Sequence, residues 1–227
     1  MQLPRGYLSY SAWKLWRTNK DAFRKRYYEN EKPFETAETN FGKRIAEMLE
    51  RGDERLAKVP QYPVREHDIT TELDGFAIKG RLDGFDPIRC RFLDHKSGHA
   101  DRSGKAPWNR VKVFQLDQLP FYSMLVKEKY GKVDPVCHLV WLETEFETKT
   151  TEFAGRTLYS QTRDLKLTGR VKKFRRYISK WERERIKKDV IEACKEIAID
   201  YENYQKTKER SDAGTGEGIA QEKPTIA

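Results

Sequence analysis

The stretch from Gly80 to Gly98, Gly-Arg-Leu-Asp-Gly-Phe-Asp-Pro-Ile-Arg-Cys-Arg-Phe-Leu-Asp-His-Lys-Ser-Gly, constrains this chain more than any other. Two short apolar runs flank a turn rich in Gly, Asp and Pro, which predicts a β-hairpin. Its first strand ends near Asp83 and its second runs from Cys90 to Lys96. Side chains alternate along a strand, so residues two apart share a face. Asp94 and Lys96 therefore point one way and His95 the other. A carboxylate and an ammonium on a strand that also carries Phe92 and Leu93 set it apart from a plain core strand.

Ten residues separate Asp83 from Asp94-x-Lys96, and Ser97-Gly98 follow at once. With Gly80 three residues before Asp83, this pattern resembles the PD-(D/E)XK nucleases, above all their RecB-like branch. The resemblance implies an α/β (α+β) fold, a restriction-endonuclease-like mixed central sheet flanked by helices. It implies that Asp83 and Asp94 hold a divalent metal, Mg²⁺ or Mn²⁺, and that Lys96 helps to activate the attacking water. The chemistry is consistent: hard cations take carboxylate and phosphate oxygens. Such an ion polarises the phosphate and lowers the pKa of bound water, and a nearby lysine stabilises developing charge.

Two further stretches carry the resemblance. Phe41-Gly-Lys-Arg-Ile-Ala-Glu is similar to the family's first motif, with Ala46 where a histidine ligand often lies. Phage recombination exonucleases use a glutamate on this helix, which makes Glu47 the candidate third carboxylate. Gln118-Leu-Pro-Phe-Tyr122 resembles the family's Q-x-x-x-Y motif. Residues four apart share a helical face, and in the family this pair braces the site and the DNA. A serine-started, aromatic-rich first helix, as in Ser9 to Tyr28, is also similar to many members.

Composition narrows the partner. The formal charge is +9 with a pI near 9.3, which suggests nucleic acid or an anionic membrane. No run approaches the ~18 apolar residues of a membrane span, and the first residues lack a signal-peptide core. Cys90, Cys137 and Cys194 are too few and too scattered for a disulfide framework or a four-cysteine iron–sulfur cluster. Cytoplasm, bacterial or of a phage-infected host, is the expected location.

Along the chain, Trp13, Trp16, Phe23 and Tyr27 predict a buried aromatic stripe on a helix starting at Ser9 or Ser11. A second helix is expected over 36–52, ended by Gly52. Strands over 64–73 and 76–82 join at Asp74-Gly75. A polar loop follows to Asn109, where Arg102, Lys105, Trp108 and Arg110 mix charge with an aromatic ring, a surface suited to nucleic acid. A helix starts at Asp117 with Pro120 in its first turn. Strands are expected over 136–146 and 148–153, then a long helix over 169–206. Within that helix, residues 170–188 hold ten Lys/Arg against two Glu, and Lys172, Lys173, Arg175 and Arg176 are the expected phosphate contacts. The nuclease domain is placed at 1–206 and a disordered tail at 207–227.

The reading that results is a metal-dependent DNA nuclease, an exonuclease rather than a site-specific endonuclease, acting on single- or double-stranded DNA in recombination, repair or phage replication. A nucleic-acid-binding module that has lost catalysis, a CRISPR-adaptation-type nuclease without the cluster, and an acidic-protein interaction domain are its rivals.

Overall fold

The computed structural model describes residues 2–32, 35–100, 104–131, 134–153 and 156–214. Its elements are β1 (Leu8–Ser9), α1 (Tyr10–Thr18), α2 (Lys20–Tyr27), α3 (Ala37–Arg51), β2 (Val64–Leu73), β3 (Phe76–Asp86), β4 (Arg91–His99), α4 (Arg110–Gln115), α5 (Gln118–Tyr130), β5 (Val136–Phe153), β6 (Arg156–Tyr177) and α6 (Lys180–Gly214). The strands form one six-stranded sheet in the order β1-β3-β4-β5-β6, with β2 paired to β3. β1–β3 and β4–β5 are parallel and the other pairs antiparallel. This is the mixed sheet flanked by helices that the sequence implied.

Strand β5 shows how the layers are built. Cys137, Leu139 and Trp141 enter the main core with residues of α1, α5 and α6. The alternate residues Val140 and Leu142 enter a smaller core with Phe41, Ile45 and Leu49 of α3. A strand covered on both faces reads as a near-continuous apolar run, which Val-Cys-His-Leu-Val-Trp-Leu is. The aromatic stripe is buried as expected, but Asn19 divides its helix in two. The Asn19 backbone ends α1 and its side chain accepts from Ala22 N–H to start α2.

Alternation breaks at one place in the β2–β3 pair. Ile69 and Leu73 of β2 pack in the main core, and so does Val64, an odd number of residues away. On β3, Leu82 and Phe85 do the same. Both strands therefore turn over between these positions, where Glu66 adopts a left-handed backbone with φ 47°. Such a conformation is uncommon for a residue other than glycine.

Close approach of α5 to the sheet rests on Gly80. A Cβ there would lie 2.7 Å from Leu125 Cδ1 and 3.1 Å from Tyr122 Cε1. The glycine that begins the site motif is thus the seat of the helix that completes the site.

The C-terminal third departs from the sequence reading. β5 is one strand through Phe153, and its partner is β6, not a strand over 148–153. The helix expected from Gly169 is strand to Tyr177 and helix only from Lys180. Val171, Phe174 and Ile178 mimic helical spacing, but Trp181, the next of that stripe, is 72% exposed. Beyond the His99–Thr144 pairing that ends β4, the β5–β6 pair continues as a two-stranded ribbon. α6 runs past residue 206 to Gly214, into the stretch expected to be tail, and 215–227 lie outside the described residues. Among the described residues no helix is long and apolar enough to cross a membrane.

Candidate active site

The site lies at a fork. The β3–β4 ladder pairs Asp86 with Arg91, Phe85 with Phe92 and Gly84 with Leu93, and then stops. Beyond it β4 continues beside β5 alone. Asp83 and Asp94 are the first residues past the last pair, one on each prong. Asp83 Oδ2 accepts the backbone N–H of His95 at 2.5 Å, which ties the prongs together. Lys96 Nζ lies 2.9 Å from Asp94 Oδ2. From α5, Gln118 Nε2 donates to Asp94 Oδ1 at 2.9 Å and to the Tyr122 hydroxyl at 3.2 Å. The sequence-expected Asp83, Asp94, Lys96, Gln118 and Tyr122 thus converge, and they line one cavity of about 330 Å³.

Burial governs the electrostatics here. Asp94 is 3% exposed. Asp83 is held well above the usual carboxylate range by burial and then by the charge of Asp94. Burial pulls the Lys96 ammonium down, but Asp94 and Asp83 outweigh it and leave its pKa raised. Burial, with Asp94 and Asp83 nearby, also keeps the Tyr122 hydroxyl protonated. The His95 ring lines the same cavity, with Nδ1 3.8 Å from Asp83 Oδ2. Its Nε2–H donates to the Pro60 carbonyl at 3.2 Å, and burial lowers its pKa.

Other expected residues lie elsewhere. Glu47 pairs with Arg51 at 3.2 Å and lines a separate cavity of about 850 Å³ between α3 and β6. The face of α3 that meets Asp83 and Asp94 carries Ala46 and Glu50. Glu47, one residue on from Ala46, is turned about 100° around the helix, so it is not brought to the site. The four basic residues of β6 divide by strand alternation. Lys173 lies 5.6 Å from the Tyr62 ring centroid, and Arg175 stacks 4.5 Å over the exposed Tyr177. Lys172, on the opposite face, sits over Phe174. Arg176 is buried, donating to the Val113 and Leu116 carbonyls and pairing with Glu182 at 2.7 Å. It is a structural cation, not a surface one. Trp108 is half-buried against the main core, and Arg110 is exposed at the start of α4; neither lines the cavity.

Residues that the sequence reading passed over also line it, notably Glu66 and Glu50. Glu66 carries no sequence signal, because its left-handed backbone is set by the turnover of β2. Tyr10 stands near as well. Burial first, then Asp117 and Asp94, push its hydroxyl up to about 12.

The donor set suits a hard divalent cation. Two carboxylates stand on the two prongs of the fork and one ammonium pairs with Asp94, leaving negative charge that a cation would relieve. Among the described residues no three His, Cys, Asp or Glu side chains form a ready-made cage. Asp83 and Asp94 line one cavity, and Asp83 feels the charge of Asp94.

Comparison with known proteins agrees with this geometry. The family model of the PD-(D/E)XK nuclease superfamily matches residues 8–211. No curated protein matches significantly. Among solved structures, the crystal structure of a "Putative exonuclease" from Eubacterium rectale aligns with TM-score 0.50 and 11% identity, over 97% of this chain and 91% of that one. The crystal structure of SSO0001 aligns with TM-score 0.33 and 14% identity, over 70% of this chain and 68% of that one. The first similarity is one of fold.

Proposed function

Because the chain belongs to the PD-(D/E)XK nuclease superfamily, we propose that it is a divalent-metal-dependent DNA nuclease, an exonuclease of the RecB-like or phage type. Its setting is DNA recombination, repair or phage replication, in bacterial or phage-infected cytoplasm. The observation that carries this reading is the convergence of Asp83, Asp94 and Lys96 at the fork, with Gln118 bracing Asp94. The exonuclease preference draws on the name of the structural neighbour from Eubacterium rectale.

A bound Mg²⁺ or Mn²⁺ would polarise the scissile phosphate and lower the pKa of a coordinated water. Asp83 and Asp94 would hold the ion. The Lys96 ammonium orients the water and meets the charge that develops on the phosphate. Gln118 keeps Asp94 turned toward the cavity, and Tyr122 fixes the Gln118 amide. Lys173 and Arg175, exposed on β6, contact phosphates along the strand.

The test is incubation with end-labelled single- and double-stranded DNA in Mg²⁺, Mn²⁺ or EDTA. Metal-dependent release of nucleotides from an end is expected. Asp94→Asn and Lys96→Ala should reduce cleavage by orders of magnitude while DNA binding survives. Parental cleavage rates in both variants would remove the fork from the chemistry.

A further inference from the structure

The third acid expected on α3 is not at the fork, yet another carboxylate stands close by. We propose that Glu66 is the third metal-holding carboxylate of this protein, reaching the fork from β2. The inference rests on the nuclease reading and assigns a role that its motifs do not contain.

Register comes first. Arg65 pairs with Gly84 and His67 with Leu82, and the ladder skips the step between them, where Glu66 falls across from Asp83. Glu66 lines the cavity that holds Asp83, Asp94 and Lys96.

Its backbone is the second observation. Glu66 has φ 47° in mid-strand, where a side chain with a Cβ is strained by roughly 1–3 kcal/mol. Glycine would accept this geometry freely. The left-handed backbone re-aims the Glu66 side chain relative to its strand neighbours.

Third, among the described residues that side chain has only a long ion pair, with Arg81. Arg81 is 4.0 Å from Glu66 and is instead held by Asp68, to which Nε and Nη2 donate at 2.8 and 3.1 Å. The Glu66 side chain is only 21% exposed, and burial raises its pKa. Glu50 also faces the cavity but is exposed on α3.

Charge gives the ligand. Asp83, Asp94 and Glu66 less Lys96 leave two negative charges, which one divalent cation neutralises. The three acids are not gathered into a cage in this structure, and rotation of the long glutamate side chain would bring it to an ion held by Asp83 and Asp94.

The test uses the full chain, with Mn²⁺ alone as probe and isothermal titration calorimetry as readout. Glu66→Gln should weaken Mn²⁺ binding at least ~10-fold, the size of loss that even supporting groups around a metal produce. Glu47→Gln should bind as the parent does. Glu66→Gly should melt higher than the parent in EDTA, because the strain is released, and still lose the Mn²⁺ affinity. Parental affinity in Glu66→Gln or Glu66→Gly overturns the inference while leaving the nuclease reading intact. A parent that binds no Mn²⁺ overturns both.

Discussion

Gln118 donates to one oxygen of Asp94 while Lys96 holds the other, so this carboxylate is fixed from both sides before any substrate arrives. The two braces come from different layers, one from α5 and one from its own strand. Removing such a support costs a metal site roughly 10–100-fold in affinity or activity. Gln118→Ala should therefore cut nuclease turnover by about that factor while the melting temperature stays near the parent's. Parental turnover would show that Asp94 needs no brace from the helix.

Gly80 makes a sharper structural prediction. Gly80→Ala places a methyl 2.7 Å from Leu125 and 3.1 Å from Tyr122. Overpacking of this kind destabilises by about 1–3 kcal/mol. It also lifts α5, so Gln118 should lose its grip on Asp94. Denaturant melts should show the stability loss, and turnover should fall further than in Gln118→Ala. A parental melt would mean that α5 yields at no cost.

The raised pKa of Asp83 sets a pH dependence with a definite sign. Its folded value lies above the unfolded one of about 3.9. Between the two values the native state holds more protons, so stability falls as pH rises. In EDTA, Asp83→Asn should melt higher than the parent at neutral pH, and the two should converge below about pH 4. Added Mg²⁺ should reverse the order, since only the parent keeps that ligand charge. Equal melts across the range would mean that Asp83 is not strained by its neighbour.

The basic residues of β6 separate into two behaviours. Lys173→Glu with Arg175→Glu should weaken DNA binding and reduce the slope of log affinity against log salt by about 2. Arg176→Ala breaks a buried pair with Glu182 and strands two carbonyls. It should cost about 3–5 kcal/mol of stability. Filter binding across a salt series, with thermal melts, distinguishes them. A stable Arg176→Ala variant with weakened DNA binding would assign that arginine to the surface after all.

The fork was legible because it is local. Asp83, Asp94 and Lys96 sit on one predicted hairpin, and alternation alone puts Asp94 and Lys96 on one face, but it does not show that the His95 ring also lines the cavity and lies 3.8 Å from Asp83. Gln118 and Tyr122 were legible as a helical pair, though only the structure shows that Gly80 lets them reach. Glu47 was misplaced because one residue on a helix is a turn of about 100°, and a motif does not carry that angle. The helix expected over 169–206 failed for a different reason. A strand that hides Arg176 and exposes Lys173 and Arg175 loses its polar–apolar alternation, so β6 shows no period of two. Tertiary ion pairs also absorb much of that basic run. Arg183 pairs with Asp134, Arg185 with Asp117 and Lys187 with Glu128. Glu66 was invisible because left-handed backbone at a glutamate leaves no mark in the sequence.

The Lys96–Asp94 pair means that the fork carries its own counterion. Lys96 meets part of the negative charge from within the chain, and the raised pKa of Asp83 lets a proton meet more of it when no ion is bound. Folding therefore does not wait for metal, unlike domains whose fold is built around an ion. If Asp83 and Asp94 hold an ion, the native state would form before it is loaded. On this reading the local supply of divalent ions acts as a throttle on cutting, with the amount of folded protein unchanged.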